Sequence, residues 1–234
     1  MKAVTQNLKT GKLQVQELPS PILRPDGLLV RVRRSLISLG TERAVIALAN
    51  KGPLGKAQDR PDLFRKVLNK AKQEGYWSTY KVVRNLMSTP IPLGYSCAGE
   101  VLEVGAGATE FHVGDRVACA GLGHANHAEI DYVPRNLAAR MPDGVSYDDG
   151  CFVTVGTIAL HGVRLADIAL GDRVVVLGLG LVGQIAAQLA RCAGATVIAC
   201  DLDSAKLDMA KRLGAHHVVP VGALGSTVAE LTGG

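Results

Sequence analysis

The sequence predicts an α/β plus β fold: a strand-rich N-terminal part, then a parallel α/β part, with the boundary near residue 150. Three observations carry that reading. Before residue 150, apolar residues recur in short alternating runs between turn residues, with one helical interlude. From Arg173 onward, strand-like and helix-like runs alternate, the pattern of a parallel sheet joined by crossover helices. The 234 residues, 47% of them hydrophobic, suffice for two modest cores, and no low-complexity linker separates the two parts.

The first part, 1–150, opens with a strand pair, KAVTQ and KLQVQEL, and continues with LLVRVRRSLIS after the turn residues Pro25, Asp26 and Gly27. A basic helical insert is expected at about 48–88, where Leu63, Val67 and Leu68, then Tyr80, Val83, Leu86 and Met87, stand at helical spacing around Gly75. Pro90 and Pro92 end that region, and CAGEVLEVG, DRVACAG and AEIDYVP read as the next strands. In the second part, 151–234, the register is helical from Asp148 to Ala169, with Gly156 and Gly162 as close-packing points. RVVVLG, TVIACD and HHVVPV then read as strands, with a helix after the first and a last helix near Leu224 to Leu231. The tetrapeptide Gly-Asp-Arg-Val occurs at Gly114 and again at Gly171, marking two turns that enter strands.

The net charge of +5 is concentrated: between Lys51 and Arg84 nine basic residues stand against three acidic ones. Such an insert is either a surface for an anionic substrate or acidic partner, or a solvated helix face. The five cysteines are scattered, odd in number and without a C-x-x-C pair, which favours reduced thiols packed as small hydrophobes over a disulfide framework or zinc knuckle. The N-terminus lacks the apolar core of a signal peptide, and no apolar run reaches the ~20 residues that span a bilayer. A cytoplasmic protein acting on a small molecule, with neither nucleic acid nor membrane as partner, is expected.

The stretch from Arg173 to Asp203 carries the chemistry. Gly178-Leu179-Gly180-Leu181-Val182-Gly183 fits G-x-G-x-x-G, lies between the strand VVVLG and an apolar helix, and is followed by a second strand ending at Asp201. In such a unit Gly178 allows the tight turn, Gly180 lets backbone approach a pyrophosphate, and Gly183 lets the helix pack on the strand. The pyrophosphate meets the helix N-terminus, at the amides of Leu181 and Val182, where unpaired N–H groups favour negative charge. Asp201, about 20 residues on, is placed to accept from ribose hydroxyls and to repel a 2′-phosphate, which favours NAD over NADP. Lys206 either reaches the same ribose or is an ordinary surface lysine.

With Ser38-Leu39-Gly40-Thr41-Glu42, the segment Leu93 to Val101, Gly114 to Val117, His127-Ala128-Glu129 and Leu213-Gly214-Ala215, these residues resemble the medium-chain dehydrogenase/reductase (alcohol dehydrogenase-like) family over essentially the whole chain. The resemblance implies a GroES-like partial β-barrel followed by a Rossmann domain, with NAD(P) and substrate in a cleft between them. Where zinc-binding members carry metal ligands, this chain has Leu39, Tyr95-Ser96 and Thr154. Leucine has no lone pair and hydroxyls are poor substitutes for thiolate and imidazole, so no zinc is expected. His124 and His127 lack an evident third ligand. The segments TVGTIALHGVR and LGYSCAGEV are similar to a zinc-less branch found as the front half of two-domain oxidoreductases. That implies hydride transfer to or from an alcohol, carbonyl or activated alkene. By the same resemblance Thr41 matches a proton-relay hydroxyl, and Tyr95 is a candidate hydrogen-bond donor or acid, or else a cleft wall. Ser96 and His161 are further candidates, the latter equally an ordinary helix histidine.

A doubly wound fold uses two βαβαβ halves. After Arg173 this chain supplies three strands at most, so the sheet is expected to be an incomplete, first-half Rossmann sheet in a C-terminally truncated chain. Its open apolar edge would be covered by another chain or by pairing in a homodimer. Three functions stay open: part of an NAD-dependent, zinc-independent oxidoreductase; a non-catalytic nucleotide-binding module; and an assembly protein that docks partners through its basic insert.

Overall fold

The computed structural model describes residues 1–7, 12–38, 40 and 90–233, so the expected insert at 48–88 lies outside the described residues. The chain divides into two compact units, Met1–Phe152 and Val153–Gly234.

The first unit contains, among the described residues, β1 (Lys2–Asn7), β2 (Leu13–Glu17), β3 (Gly27–Ser35), β4 (Pro90–Pro92), β5 (Ser96–Val104), β6 (Arg116–Ala120), β7 (Ile130–Pro134) and β8 (Ala138–Arg140). Two antiparallel sheets result, ordered β2-β1-β4 and β7-β3-β5-β6-β8. Register shifts between Leu29 and Val30 and between Val32 and Arg34 add bulges to β3, which bend the larger sheet into a curled half-barrel. Its inner face holds the core: Leu28 and Val30 from β3, Cys97 and Val101 from β5, Val117 and Cys119 from β6, and Val133 from β7. Pro90 and Pro92, expected only to end the preceding helical region, form a short edge strand on β1. A residue without an N–H is tolerated there because the outer side of an edge strand needs no donor.

The expected helix from Asp148 to Ala169 is two helices, α1 (Tyr147–Gly150) and α2 (Val153–Leu165). Ser146 starts α1, its Oγ accepting from the Asp149 amide at 3.1 Å. Among the described residues, a methyl built on Gly156 or Gly162 meets nothing within 4 Å, so the close packing expected at these glycines is not seen there.

The second unit alternates β9 (Arg173–Leu177), α3 (Leu181–Cys192), β10 (Thr196–Asp201), α4 (Ser204–Arg212), β11 (His217–Pro220) and α5 (Leu224–Thr232). The strands are parallel in the order β11-β10-β9, which puts β10 at the centre, and Val197 to Cys200 are buried. Ala187 and Ala190 of α3 pack with Val197 and beside Val174 and Val176, where small side chains let the helix lie close to the sheet. The two Gly-Asp-Arg-Val segments do enter strands, β6 and β9, through left-handed glycines with φ of +90° at Gly114 and +89° at Gly171.

All five cysteines are free thiols, four of them buried and Cys192 exposed. Contact with Cys119, then burial, pushes the Cys97 thiol far up, so it packs as a neutral group. No helix among the described residues is long and apolar enough to cross a membrane.

Candidate functional site

The glycine turn is built by the end of β9. Gly178 takes φ +85°, a left-handed conformation that reverses the chain without a Cβ penalty. Leu179 then turns inward, 1% exposed, and anchors the turn between the central strand and α4. Gly180 is the N-cap of α3 and has no side-chain capping bond; no acidic side chain lies in the first turn. Among the described residues, the N-cap thus supplies no side-chain bond to the first amides of α3, at Leu181, Val182 and Gly183, which an α-helix leaves without intrahelical partners. Among the described residues, methyl groups built on Gly178 and Gly180 meet nothing within 4 Å, whereas one built on Gly183 runs into the Gly178 carbonyl oxygen. The turn is thus open on the side where a diphosphate would sit and closed on the side where helix meets strand.

Asp201, the last residue of β10, faces this turn from the neighbouring strand. Its Oδ2 accepts from the Leu179 amide at 2.6 Å and its Oδ1 from the Asp203 amide at 2.9 Å. Those two amides, the Leu179 one foremost, hold its carboxyl below the usual carboxylate range, and the Lys206 ammonium adds to the effect. Lys206 Nζ lies 3.6 Å from Asp201 Oδ1 and 3.9 Å from Asp203 Oδ2. Helix capping falls to Asp203, whose side chain accepts from the Ala205 amide at 3.0 Å, leaving Asp201 for the turn. The seven sequence-predicted binding residues Gly178, Gly180, Leu181, Val182, Gly183, Asp201 and Lys206 therefore gather at the C-terminal ends of β9 and β10. Unpaired amides at a helix N-terminus beside an ionised carboxylate suit the diphosphate and ribose of an adenine dinucleotide.

Two groups here escaped the sequence reading. One is the Leu179 amide, which no side-chain pattern reveals. The other is Gln184, 7% exposed, whose Nε2 donates to the Lys206 carbonyl at 2.9 Å. A signal for it existed: Gln184 stands on the same i, i+3 row as the buried Ala187 and Ala190, a polar residue on an apolar stripe.

In the first unit, Tyr95 lies half-buried in the bend before β5, its carbonyl accepting from the Gly121 amide at 2.9 Å. Ser96 is 0% exposed and its Oγ donates to the Cys151 carbonyl at 2.7 Å. Buried and bonded there, it fastens β5 to the segment after α1, which is not the setting of an acid or base open to a substrate. Thr41 and Leu39 lie outside the described residues. His161 is exposed on α2. His127 Nδ1 is 2.9 Å from Ser35 Oγ, and His124 Nδ1 is 3.3 Å from the Tyr132 carbonyl. Among the described residues no three His, Cys, Asp or Glu side chains are grouped to hold a metal. Buried Asp131, pushed up by desolvation, accepts from the Asn126 amide at 2.7 Å and from its Nδ2 at 2.6 Å, locking the loop before β7.

Comparison with known proteins agrees with this geometry. Residues 70–152 match the alcohol dehydrogenase GroES-like domain, and residues 182–234 match the zinc-binding dehydrogenase family. In both stretches the chain is similar to the medium-chain dehydrogenase/reductase (alcohol dehydrogenase-like) family. Among curated members, D-guloside 3-dehydrogenase of Escherichia coli K12 is 39% identical over 145 residues, covering 60% of this chain and 41% of that protein. Sorbitol dehydrogenase 1 of Saccharomyces cerevisiae is 32% identical over 170 residues, covering 61% of this chain and 48% of that one. The chain spans about half the length of the curated relatives it matches. Among solved structures, Escherichia coli quinone oxidoreductase complexed with NADPH superposes with a TM-score of 0.74 at 21% identity, covering 100% of this chain and 63% of that one. At that identity the likeness shows the fold: a GroES-like sheet and a partial Rossmann sheet of three parallel strands.

Proposed function

We propose that this chain supplies the dinucleotide grip and part of the catalytic wall of an NAD-dependent, zinc-independent dehydrogenase. It moves a hydride between the cofactor and a secondary alcohol or its ketone, with sugars and polyols as the substrate class. The observation that carries the reading is the bond from the Leu179 amide to Asp201, which makes the ribose-facing carboxylate and the diphosphate turn one rigid unit. NAD is favoured because a 2′-phosphate would meet a carboxylate held ionised by two amides. The sugar and polyol class rests on the names of the curated relatives, a D-guloside and a sorbitol dehydrogenase. Zinc independence rests on the donor set, Leu39, Tyr95-Ser96 and Thr154, in which no thiolate or imidazole stands.

A bound nicotinamide cofactor would supply the hydride acceptor or donor for the carbinol or carbonyl carbon. The first amides of α3 hold the diphosphate, and Asp201 accepts from the ribose hydroxyls. With no metal ligands, the oxygen that gains charge needs hydrogen-bond donors from the chain. Tyr95 would donate a hydrogen bond to that oxygen, and by the family resemblance the Thr41 hydroxyl would relay the alcohol proton away.

The test is a titration with NADH and with NADPH, followed by polyol oxidation with and without a chelator. NADH binding at least about tenfold tighter, and turnover indifferent to the chelator, are the expected results; binding of neither nucleotide overturns the reading. A second reading, a nucleotide-binding module that needs another chain, is favoured by the outer edge of β9. Among the described residues no strand pairs with that edge, and Leu177 is 69% exposed. NADH-dependent thermal stabilisation without turnover decides for it.

A further inference from the structure

We infer that Gln184 is a positioning residue for nucleotide selection, acting through Lys206; this rests on the dinucleotide reading above. Gln184 directly follows the third glycine of the turn, and its amide makes an early helical bond of α3, to the Gly180 carbonyl at 2.9 Å. Its backbone is thus part of the diphosphate turn. Its side chain crosses to α4 and donates through Nε2 to the Lys206 carbonyl at 2.9 Å. In a helix that carbonyl already serves the amide four residues on, so the glutamine does not fill an unmet need of α4. Its own Oε1 is buried, with no hydrogen-bond partner among the described residues.

A buried acceptor left unpaired costs free energy, and an apolar side chain of similar volume, such as methionine, would fill this space without that cost. What the glutamine adds is a tether. It links the turn to the residue whose ammonium stands 3.6 Å from Asp201, while Asp201 bonds back to the turn through Leu179. The diphosphate grip and the ribose-reading pair are joined at two points, and Gln184 is the second. With the tether cut, Lys206 drifts from Asp201. The site then loses the paired geometry that suits a ribose diol and becomes less strict against a 2′-phosphate.

The test compares Gln184→Met, Lys206→Ala and the double variant with the wild type. Two readouts are taken: NADH and NADPH affinities by titration, and the Asp201 carboxyl titration by NMR in nucleotide-free protein. In Gln184→Met, NADH binding weakens by about three- to tenfold while NADPH changes less, and Asp201 titrates at a higher pH because its cation has moved away. In the Lys206→Ala background, Gln184→Met adds nothing further to either readout. Equal weakening of both nucleotides, additive effects in the double variant, or an unmoved Asp201 titration overturns the inference and marks Gln184 as a packing residue. A wild type that binds neither nucleotide overturns the parent reading as well, whereas the Asp201 titration tests the tether in nucleotide-free protein.

Discussion

Gly183 is the position where a single methyl has nowhere to go, because the Gly178 carbonyl occupies its place. Gly183→Ala is expected to cost about 1–3 kcal/mol by forcing α3 off the turn, and to abolish nucleotide binding with it. Thermal melts and NADH titration of the same sample check both halves of that statement. Asp201 makes a prediction with a sign. Its folded-state carboxyl is held below the ordinary value of 3.8, first by the Leu179 amide, so its contribution is fully present above that value. It is lost as pH falls through the depressed value, and the Tm gap between wild type and Asp201→Asn should therefore narrow below about pH 4. A gap that widens on acidification would contradict the bond as the source of the shift. At this scale the glycines and Asp201 were legible because each has a backbone or charge requirement that few residue types meet. Ser96 was not: its hydroxyl reads as chemistry in a string of letters, and only its burial against the Cys151 carbonyl shows it to be a fastening.

The elements that were easiest to read are those with one dominant period. The strand, turn, helix and strand from Arg173 to Asp201 appear where their apolar spacing placed them, since the central strand is apolar on both faces and α3 carries a plain alanine stripe. Harder elements were those whose identity depends on a neighbour. β4 exists only because β1 pairs with it, and the break between α1 and α2 interrupts a run that reads as one continuous helix. The start of α4 gives a direct test of local physics. Asp203→Ala removes the bond to the Ala205 amide and should lower stability by about 1 kcal/mol. Its exposed ion pair with Lys206 adds little. Because Asp201 keeps its own two amide bonds, NADH affinity should fall far less in this variant than in Asp201→Asn, a comparison that isothermal titration makes directly.

At the scale of the molecule, the parallel sheet leaves the outer side of β9 without a partner strand among the described residues, and Val175, 37% exposed, and Leu177, 69% exposed, lie on the sheet face opposite Val174 and Val176. An unpaired edge beside an exposed apolar face recruits other chains. The protein is expected to self-associate as its concentration rises, and Leu177→Lys to keep it monomeric over the same range in sedimentation velocity runs. The alternation of strands and helices after Arg173, the place of the glycine turn and the acidic end of the next strand were determined by the amino-acid sequence alone. Each follows from periodicity or from a backbone constraint that acts within a few residues. Tertiary structure alone decided which groups serve one another: the Leu179 amide to Asp201, Gln184 to the Lys206 carbonyl, the hydroxyl of Ser96 to a buried carbonyl. The first two of these bonds join residues 22 positions apart and the third joins residues 55 apart. They are set by how helices and strands pack, and no local pattern encodes that.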